Sequence, residues 1–259
     1  MKDILYTVYS HTEYLDVLKV QVEHMKPVQN KVLLINGGSH IPDEILREFK
    51  KVIFYDDKLP YASRLLSLKN LDEEYILFMH DIDILLSRDQ ELINELPSIM
   101  KKENIDGLDL KVKLHQVDWK PYEIYSEVRQ RKIQLRKQTD PKSQNIYVQQ
   151  PFVWKLSSFM GIMENFPQEA YRSIEYNVQE YASTLNIYKL FPSPECRIAL
   201  DSDEYICCSR FDCLDFFQYL HVTIRGKLYF PGKISYKIRP HFVNVINKLK
   251  STRDFETFY

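Results

Sequence analysis

The chain has 259 residues, with 35 Lys plus Arg against 36 Asp plus Glu and a formal net charge of −1. That length buries a substantial core without staples and fits one large domain, or one domain with an appendage. The balanced charge excludes the basic field of a nucleic-acid binder, and six glycines leave little material for glycine-built phosphate loops.

Met1-Lys2-Asp3 leads straight into a strand-like run, so no signal peptide is expected. No apolar stretch approaches the roughly 20 residues needed to cross a bilayer. The four cysteines, Cys196, Cys207, Cys208 and Cys213, lack paired CxxC spacing and read as reduced thiols. Together these features predict a cytoplasmic chain with no transmembrane segment, and they leave peripheral contact with a membrane surface open.

In chain order, Ile4 to Tyr9 is β-branched and aromatic and predicts a strand. Ser10-His11-Thr12 is a turn with helix-capping chemistry, followed by a helix with Leu15, Leu18, Val22 and Met25 at helical spacing. Lys31 to Ile35 predicts a second strand ended by Asn36-Gly37-Gly38, and a short helix follows from Pro42 to Phe49. Val52 to Tyr55 predicts a third strand ended by Asp56-Asp57. Ala62 to Leu71 predicts a helix. Tyr75 to Met79 is apolar on both faces, as in a central parallel strand. The alternation implies a parallel sheet with right-handed crossovers, whose ligand sits beyond the carboxyl ends of the strands.

Beyond this point a helix is predicted over Gln90 to Lys102 and a strand over Gly107 to Leu114. Tyr122 to Lys142 is rich in charge and Gln and reads as an exposed helix with a mobile loop. Val148 to Phe152 is a candidate strand. Lys155 to Glu164 and Gln168 to Leu185 read as helices split by Pro167. Short strands, Tyr219 to Ile224 and Lys227 to Phe230, precede a basic end.

The sharpest chemical signal is Asp81-Ile82-Asp83, directly after the buried strand and His80. Side chains at i and i+2 of an extended segment point the same way. Two carboxylates so placed repel unless a cation or proton intervenes. Magnesium and manganese favour oxygen ligands and commonly bridge carboxylates to substrate phosphates. The alternative is that Asp81 starts a turn and Asp83 caps the next element.

With its approach, Pro60-Tyr61-Ala62-Ser63-Arg64-Leu65-Leu66-Ser67-Leu68 and Glu74 to Asp83, this motif resembles the nucleotide-sugar-dependent glycosyltransferases of the GT-A fold, in particular bacterial and viral surface-polysaccharide transferases. Gln149-Gln150-Pro151-Phe152-Val153-Trp154-Lys155 is similar to the segment where that family turns into its acceptor side, and Asn165 to Glu180 to its acceptor helix. Tyr219 to Lys227 is similar to its late His and Gly-Lys elements. His80 departs from the pattern, since many relatives carry an apolar or acidic residue there.

The resemblance implies an α/β, GT-A-like fold: a mostly parallel Rossmann-like sheet flanked by helices, with a smaller acceptor-side C-terminal part. It implies a single domain over 1–259, with 1–115 as the nucleotide-sugar half and 116–259 as the acceptor half and tail. It also implies a hexosyl- or pentosyltransferase for polysaccharide biosynthesis that uses Mn2+ or Mg2+, a UDP- or GDP-sugar donor, and a glycan or lipid-linked glycan acceptor.

By position, Thr7, Tyr9, Ser10 and either Asp56 or Asp57 would meet base and ribose. Tyr61 would line the donor site, and Arg64 and Lys227 would approach the diphosphate. Asp81, Asp83 and His221 would form the metal shell, with Asp83 the more direct ligand. An inverting reaction needs a carboxylate to take the acceptor proton. Glu169, Glu175 and Glu180 are the candidates, and Glu175 is favoured because Tyr171 and Gln179 share its helical face. Trp154 and Tyr176 are candidates for stacking on an acceptor sugar, and Glu127 to Lys142 for a lid over the donor. Two other classes use the same residues: a nucleotidyltransferase or phosphohydrolase built on the carboxylate pair, and a non-catalytic glycan-binding protein.

Overall fold

The computed structural model describes residues 4–37, 40–81, 90–110, 119–127, 130–138, 146–149 and 151–191. In order these form β1 (Leu5–Tyr9), α1 (Leu15–His24), β2 (Lys31–Asn36), α2 (Asp43–Leu46), β3 (Lys51–Tyr55), α3 (Tyr61–Leu65), β4 (Tyr75–His80), α4 (Gln90–Lys102), β5 (Gly107–Asp109), β6 (Trp119–Ser126), β7 (Arg131–Gln138), β8 (Phe152–Lys155), α5 (Leu156–Asn165), α6 (Tyr171–Asn177), α7 (Gln179–Ala182) and β9 (Ile187–Phe191). Short 3-10 turns lead into α1 and follow α3.

These strands make one nine-stranded sheet in the order β3-β2-β1-β4-β8-β5-β9-β7-β6. The first four are mutually parallel, and β8 runs against both of its neighbours. β9 continues parallel to β5, and β7 and β6 close the far edge as antiparallel pairs. By direction, seven of the nine described strands run one way and only β8 and β7 oppose them. The protein is therefore α/β with a mostly parallel mixed sheet, compatible with a Rossmann-like fold.

Two apolar layers cover the sheet, and alternation along the strands sorts residues between them. Tyr6, Val8, Leu77 and Met79 face α1 and α4, packing with Leu18, Val22, Ile93 and Leu96. Leu5, Tyr9, Ile76 and Phe78 face the other side with Leu65, Phe159, Ile162 and Ile174 from α3, α5 and α6. Burial on both faces explains the continuous apolar run in β4, whose six residues are all buried. α4 ends where Asn104 takes a positive φ of 51°. Ile105 N then donates to Met100 O and Asn104 N to Lys101 O, which satisfies the terminal carbonyls.

The expected exposed helix across Tyr122 to Lys142 is corrected: 119–126 and 131–138 form an antiparallel hairpin, with Trp119 opposite Gln138 and Ser126 opposite Arg131. The governing period is two, with Ile124 and Ser126 buried on one face while Glu123 and Tyr125 face solvent, and Leu135 buried on the partner strand. The hairpin packs beside β9, which sequence periodicity did not predict. Other boundaries also shift. α2 spans only Asp43–Leu46, the helix expected from Ala62 to Leu71 becomes 3-10 after Leu65, and the strand near 150 begins at Phe152.

Candidate functional site

β1 connects outward to β2 and β3, and the chain then returns to lay β4 on the opposite side of β1. The order therefore reverses between β1 and β4, and the crevice beyond their carboxyl ends is the usual ligand position of an open α/β sheet. A cavity of about 570 Å³ opens there, lined by Tyr9, Ser10 and His11 after β1, His80 and Asp81 after β4, and Leu59, Pro60, Tyr61 and Arg64 at the start of α3. Glu13 and Tyr14 complete one wall, and Ala170, Tyr171 and Arg172 at the start of α6 complete the other.

Adjacent registers set the two strand ends side by side. Tyr9 pairs with His80, and Asp81 N donates to Tyr9 O at 3.0 Å, extending the ladder by one residue. Alternation then turns Ser10 and Asp81 to one face of the sheet and Tyr9 and His80 to the other. The Ser10 hydroxyl donates to Asp81 Oδ2 at 2.7 Å, and Ser10 O accepts from the Tyr55 hydroxyl at 2.7 Å. Asp81 is only 6% exposed yet lines the cavity. A carboxylate held so far from bulk water requires hydrogen-bond donors or a cation around it.

The opposite wall is aromatic. Tyr9 stacks on Tyr55 with centroids 5.1 Å apart and meets Tyr61 and His80 edge-on. Tyr171 reaches over from α6 to make edge contacts with both Tyr61 and His80. His80 sits 2.8 Å from the Tyr61 hydroxyl through Nε2, while its carbonyl accepts from Gln21 Nε2 at 2.6 Å. Its ring is thereby fixed between sheet and helix. Burial pushes the Tyr9 and Tyr61 phenols above their ordinary range, and for Tyr61 the neighbouring Tyr147 and Tyr171 add to the effect. Both are neutral hydrogen-bonding groups at physiological pH.

Arg64 organises the rim. Its Nε donates to Leu59 O at 2.8 Å, Nη2 to Asp57 O at 2.6 Å and Nη1 to the Tyr9 hydroxyl at 3.1 Å, with the guanidinium carbon 5.2 Å from the Tyr55 ring centre. Burial disfavours its charge, but the bond to Tyr9 and the nearby Tyr55 and Asp57 raise its pKa overall. The guanidinium thus ties the β3–α3 loop to the end of β1. Asp57 continues the tie, accepting from Asn36 Nδ2 at 2.7 Å and lying 3.2 Å from His11 Nε2, and Asn36 Oδ1 accepts from Thr12 N at 2.7 Å.

Of the residues predicted from sequence for the donor site, the structure gathers Tyr9, Ser10, Tyr61, Arg64 and Asp81 around one cavity. Among the described residues, Thr7, Asp56 and Asp57 do not line it. Thr7 is fully buried two residues inside β1 and does not line the cavity. Asp56 is exposed and caps its own turn through Lys58 N at 2.9 Å, whereas Asp57 faces the network. Arg64 spends its donors on the protein rather than on the Asp81 side. Asp83, His221 and Lys227 lie outside the described residues, as do the four cysteines and the late strands.

Glu175, the favoured base, lies outside the cavity lining and accepts a short hydrogen bond from Gln149 N. Beside it, Gln179 Oε1 accepts from Ile146 N and Tyr147 N at 3.0 and 3.1 Å, and Gln179 Nε2 donates to Tyr147 O at 2.7 Å. Both side chains therefore pin the 146–149 segment to α6 and α7. Glu169 accepts from Ser173 Oγ and Asn177 Nδ2, closing the first turn of α6, and Glu180 is exposed. Trp154 is core and not a sugar platform. It is 1% exposed, stacks on Phe152 at 4.4 Å and packs against Tyr147 and Phe159. Tyr176 is 62% exposed on α6.

Sequence reasoning missed His11, Glu13, Tyr14, Tyr171 and Arg172 as cavity residues. The first three followed from the turn chemistry after β1, but nothing local signalled that the start of α6 folds back over β4. Among the described residues no cluster of three His, Cys, Asp or Glu is arranged around a common point. No helix of the described residues is long and apolar enough to cross a membrane. No protein-family model and no curated protein sequence matches the chain.

Proposed function

We propose that this protein is a metal-dependent glycosyltransferase of GT-A type, which moves a hexose or pentose from a nucleotide-diphospho-sugar to a hydroxyl of a glycan or lipid-linked glycan. The observation that carries the reading is the position of Asp81: a buried carboxylate at the carboxyl end of the central strand, on the wall of the switch-point cavity. A sheet ordered β3-β2-β1-β4 with the antiparallel β8 beside β4 supports it.

The donor set suits a hard cation. Asp81 offers carboxylate oxygen on the cavity wall, oriented by the Ser10 hydroxyl that donates to its Oδ2, and Asp83 follows two residues later in the sequence. Mn2+ or Mg2+ would be held by Asp81 and Asp83, and when bound it supplies positive charge to a departing diphosphate. The chain's own groups then divide the remaining work. Ser10 and the backbone pairing orient Asp81, and Arg64 fixes the Tyr9 wall by its hydroxyl. The Tyr61–His80 pair and Tyr171 give the cavity an aromatic side on which a sugar ring packs its apolar face.

The test is product analysis. Incubation with UDP- and GDP-sugars, manganese and a panel of glycan acceptors is expected to release nucleoside diphosphate. Release of sugar 1-phosphate instead would mark attack at the nucleotidyl phosphorus, and so nucleotidyl transfer or phosphohydrolysis. Absence of both product release and nucleotide-sugar binding would leave only the glycan-binding reading.

A further inference from the structure

We infer that the start of α6 reads an anionic sugar unit of the acceptor, which makes the substrate an acidic glycan bearing carboxylate or phosphate groups. The inference rests on the transferase reading for the word acceptor, but its observations are separate. Two arginines line the cavity. Arg64 gives Nε, Nη1 and Nη2 hydrogen bonds to Leu59 O, the Tyr9 hydroxyl and Asp57 O. Arg172, on the opposite wall, is exposed and among the described residues has no ion-pair or hydrogen-bond partner. A guanidinium is planar and forked, and it matches carboxylate or phosphate oxygens in pairs.

Its surroundings are those of a sugar track. Tyr171, immediately before it, is 42% exposed, and its ring position is set by edge contacts to Tyr61 and His80 at 5.2 and 5.5 Å. Tyr176, four residues after Arg172, lies on the same helical face and is 62% exposed. α6 therefore carries an aromatic inside the cavity, a cation at its lip and a second aromatic one turn beyond. That sequence of groups suits a chain of pyranose rings entering over α6, with rings packed on Tyr171 and Tyr176 and a charged substituent at Arg172. The anchoring of α6 keeps the spacing fixed. Gln149 Nε2 donates to Tyr171 O at 2.7 Å, and Glu169 receives Ser173 and Asn177.

The experiment uses the full chain with an array of uronate-bearing, phosphate-bearing and neutral oligosaccharides. The best acidic binder is then titrated against its carboxyl-reduced or dephosphorylated counterpart. The wild-type protein is expected to prefer the acidic form by about ten- to a hundredfold, the range of one charge-assisted hydrogen-bond pair. Arg172→Gln is expected to remove that preference, Arg172→Lys to restore part of it, and Tyr176→Ala to weaken acidic and neutral forms alike. Equal affinity for acidic and neutral forms, binding of neither, or an unchanged preference in Arg172→Gln overturns the inference. Binding of nucleoside diphosphate with manganese, measured on the Tyr176→Ala protein, whose changed residue lies outside the cavity lining, is expected to stay unchanged. Its absence from the wild type too would strike the transferase reading and leave the anion preference standing as a glycan-binding property.

Discussion

Gly107 sits in β5 opposite Trp154 of β8, and replacing it by alanine tests how tightly the sheet is closed against α5. A Cβ at that position falls 2.5 and 2.8 Å from Trp154 Cζ3 and Cε3 and 3.0 Å from Phe152 Cε1. Carbon atoms rest at about 3.5–4.0 Å, so the indole must retreat by roughly 1 Å. It has no room to do so, because Phe152 stacks on it at 4.4 Å and Phe159 and Tyr147 pack at 5.7 and 5.9 Å. Overpacking of this kind costs about 1–3 kcal/mol, and rigid rings put Gly107→Ala at the upper end. Urea unfolding monitored by far-UV circular dichroism is the assay, read as a lower midpoint at constant slope. The double variant with Trp154→Leu deletes the atoms that clash, so the two changes together are expected to cost less than their sum by about 1–2 kcal/mol. Unaltered stability in Gly107→Ala, or strict additivity in the double variant, would refute this reasoning. Either result would also reopen Trp154 as a ligand-facing ring.

Three further predictions follow from the site's framework. Arg64→Lys keeps the charge but loses the fork that holds Leu59 O, Asp57 O and the Tyr9 hydroxyl; a stability loss of about 1–2 kcal/mol in thermal unfolding is expected, and a loss near zero would deny the tie between loop and strand. Gln179→Leu leaves the buried N–H groups of Ile146 and Tyr147 without their acceptor, so a cost of about 2–4 kcal/mol and faster hydrogen exchange at 146–147 are expected, whereas unchanged protection there would contradict the assignment. The buried phenols of Tyr9, Tyr55, Tyr61 and Tyr147 are all raised, chiefly by burial. Their folded-state pKa lies above the unfolded value of about 10, so stability is insensitive to them below that pH and falls as pH rises beyond it. In an alkaline titration this subset of the 18 tyrosines is expected to ionise together with unfolding, and a single smooth transition near pH 10 for all of them would count against it.

How much of this was legible in the sequence depends on what set each element. β4 and α4 were readable because burial on both faces and an amphipathic period leave direct marks, and the bounds of α4 agree with the pattern. The alternation up to β4 likewise predicted the rim on which the cavity opens. The hairpin β6–β7 was not legible, because Ile124 and Leu135 stand among many charged and Gln residues in the sequence, and high polarity reads as loop or helix. Trp154 offered no local sign of its environment, since its burial is decided by Gly107, 47 positions earlier, leaving space for the indole. In the site, residues on the strand ends were found from sequence, because strand order puts them on one rim. Thr7 was included by proximity along the chain, and it lies two residues deeper in the strand than Tyr9 and is fully buried. Glu175 was chosen by helical facing alone, which does not reveal that a backbone N–H claims its carboxylate. Tyr171 and Arg172 required the tertiary return of α6 over β4, which no local pattern encodes.

In the proposed reaction Asp81 holds a divalent cation against a diphosphate at the β1–β4 switch point. The most direct test is calorimetric titration of UDP and GDP into the protein with and without manganese, in the wild type and in Asp81→Asn. Asparagine keeps the volume and still accepts the Ser10 hydroxyl, so a thermal unfolding curve close to that of the wild type serves as the control for folding. The account predicts manganese-dependent binding of at least one nucleoside diphosphate to the wild type and its loss, by about a hundredfold or more, in Asp81→Asn. Binding that ignores manganese, or that survives intact in Asp81→Asn, would contradict it.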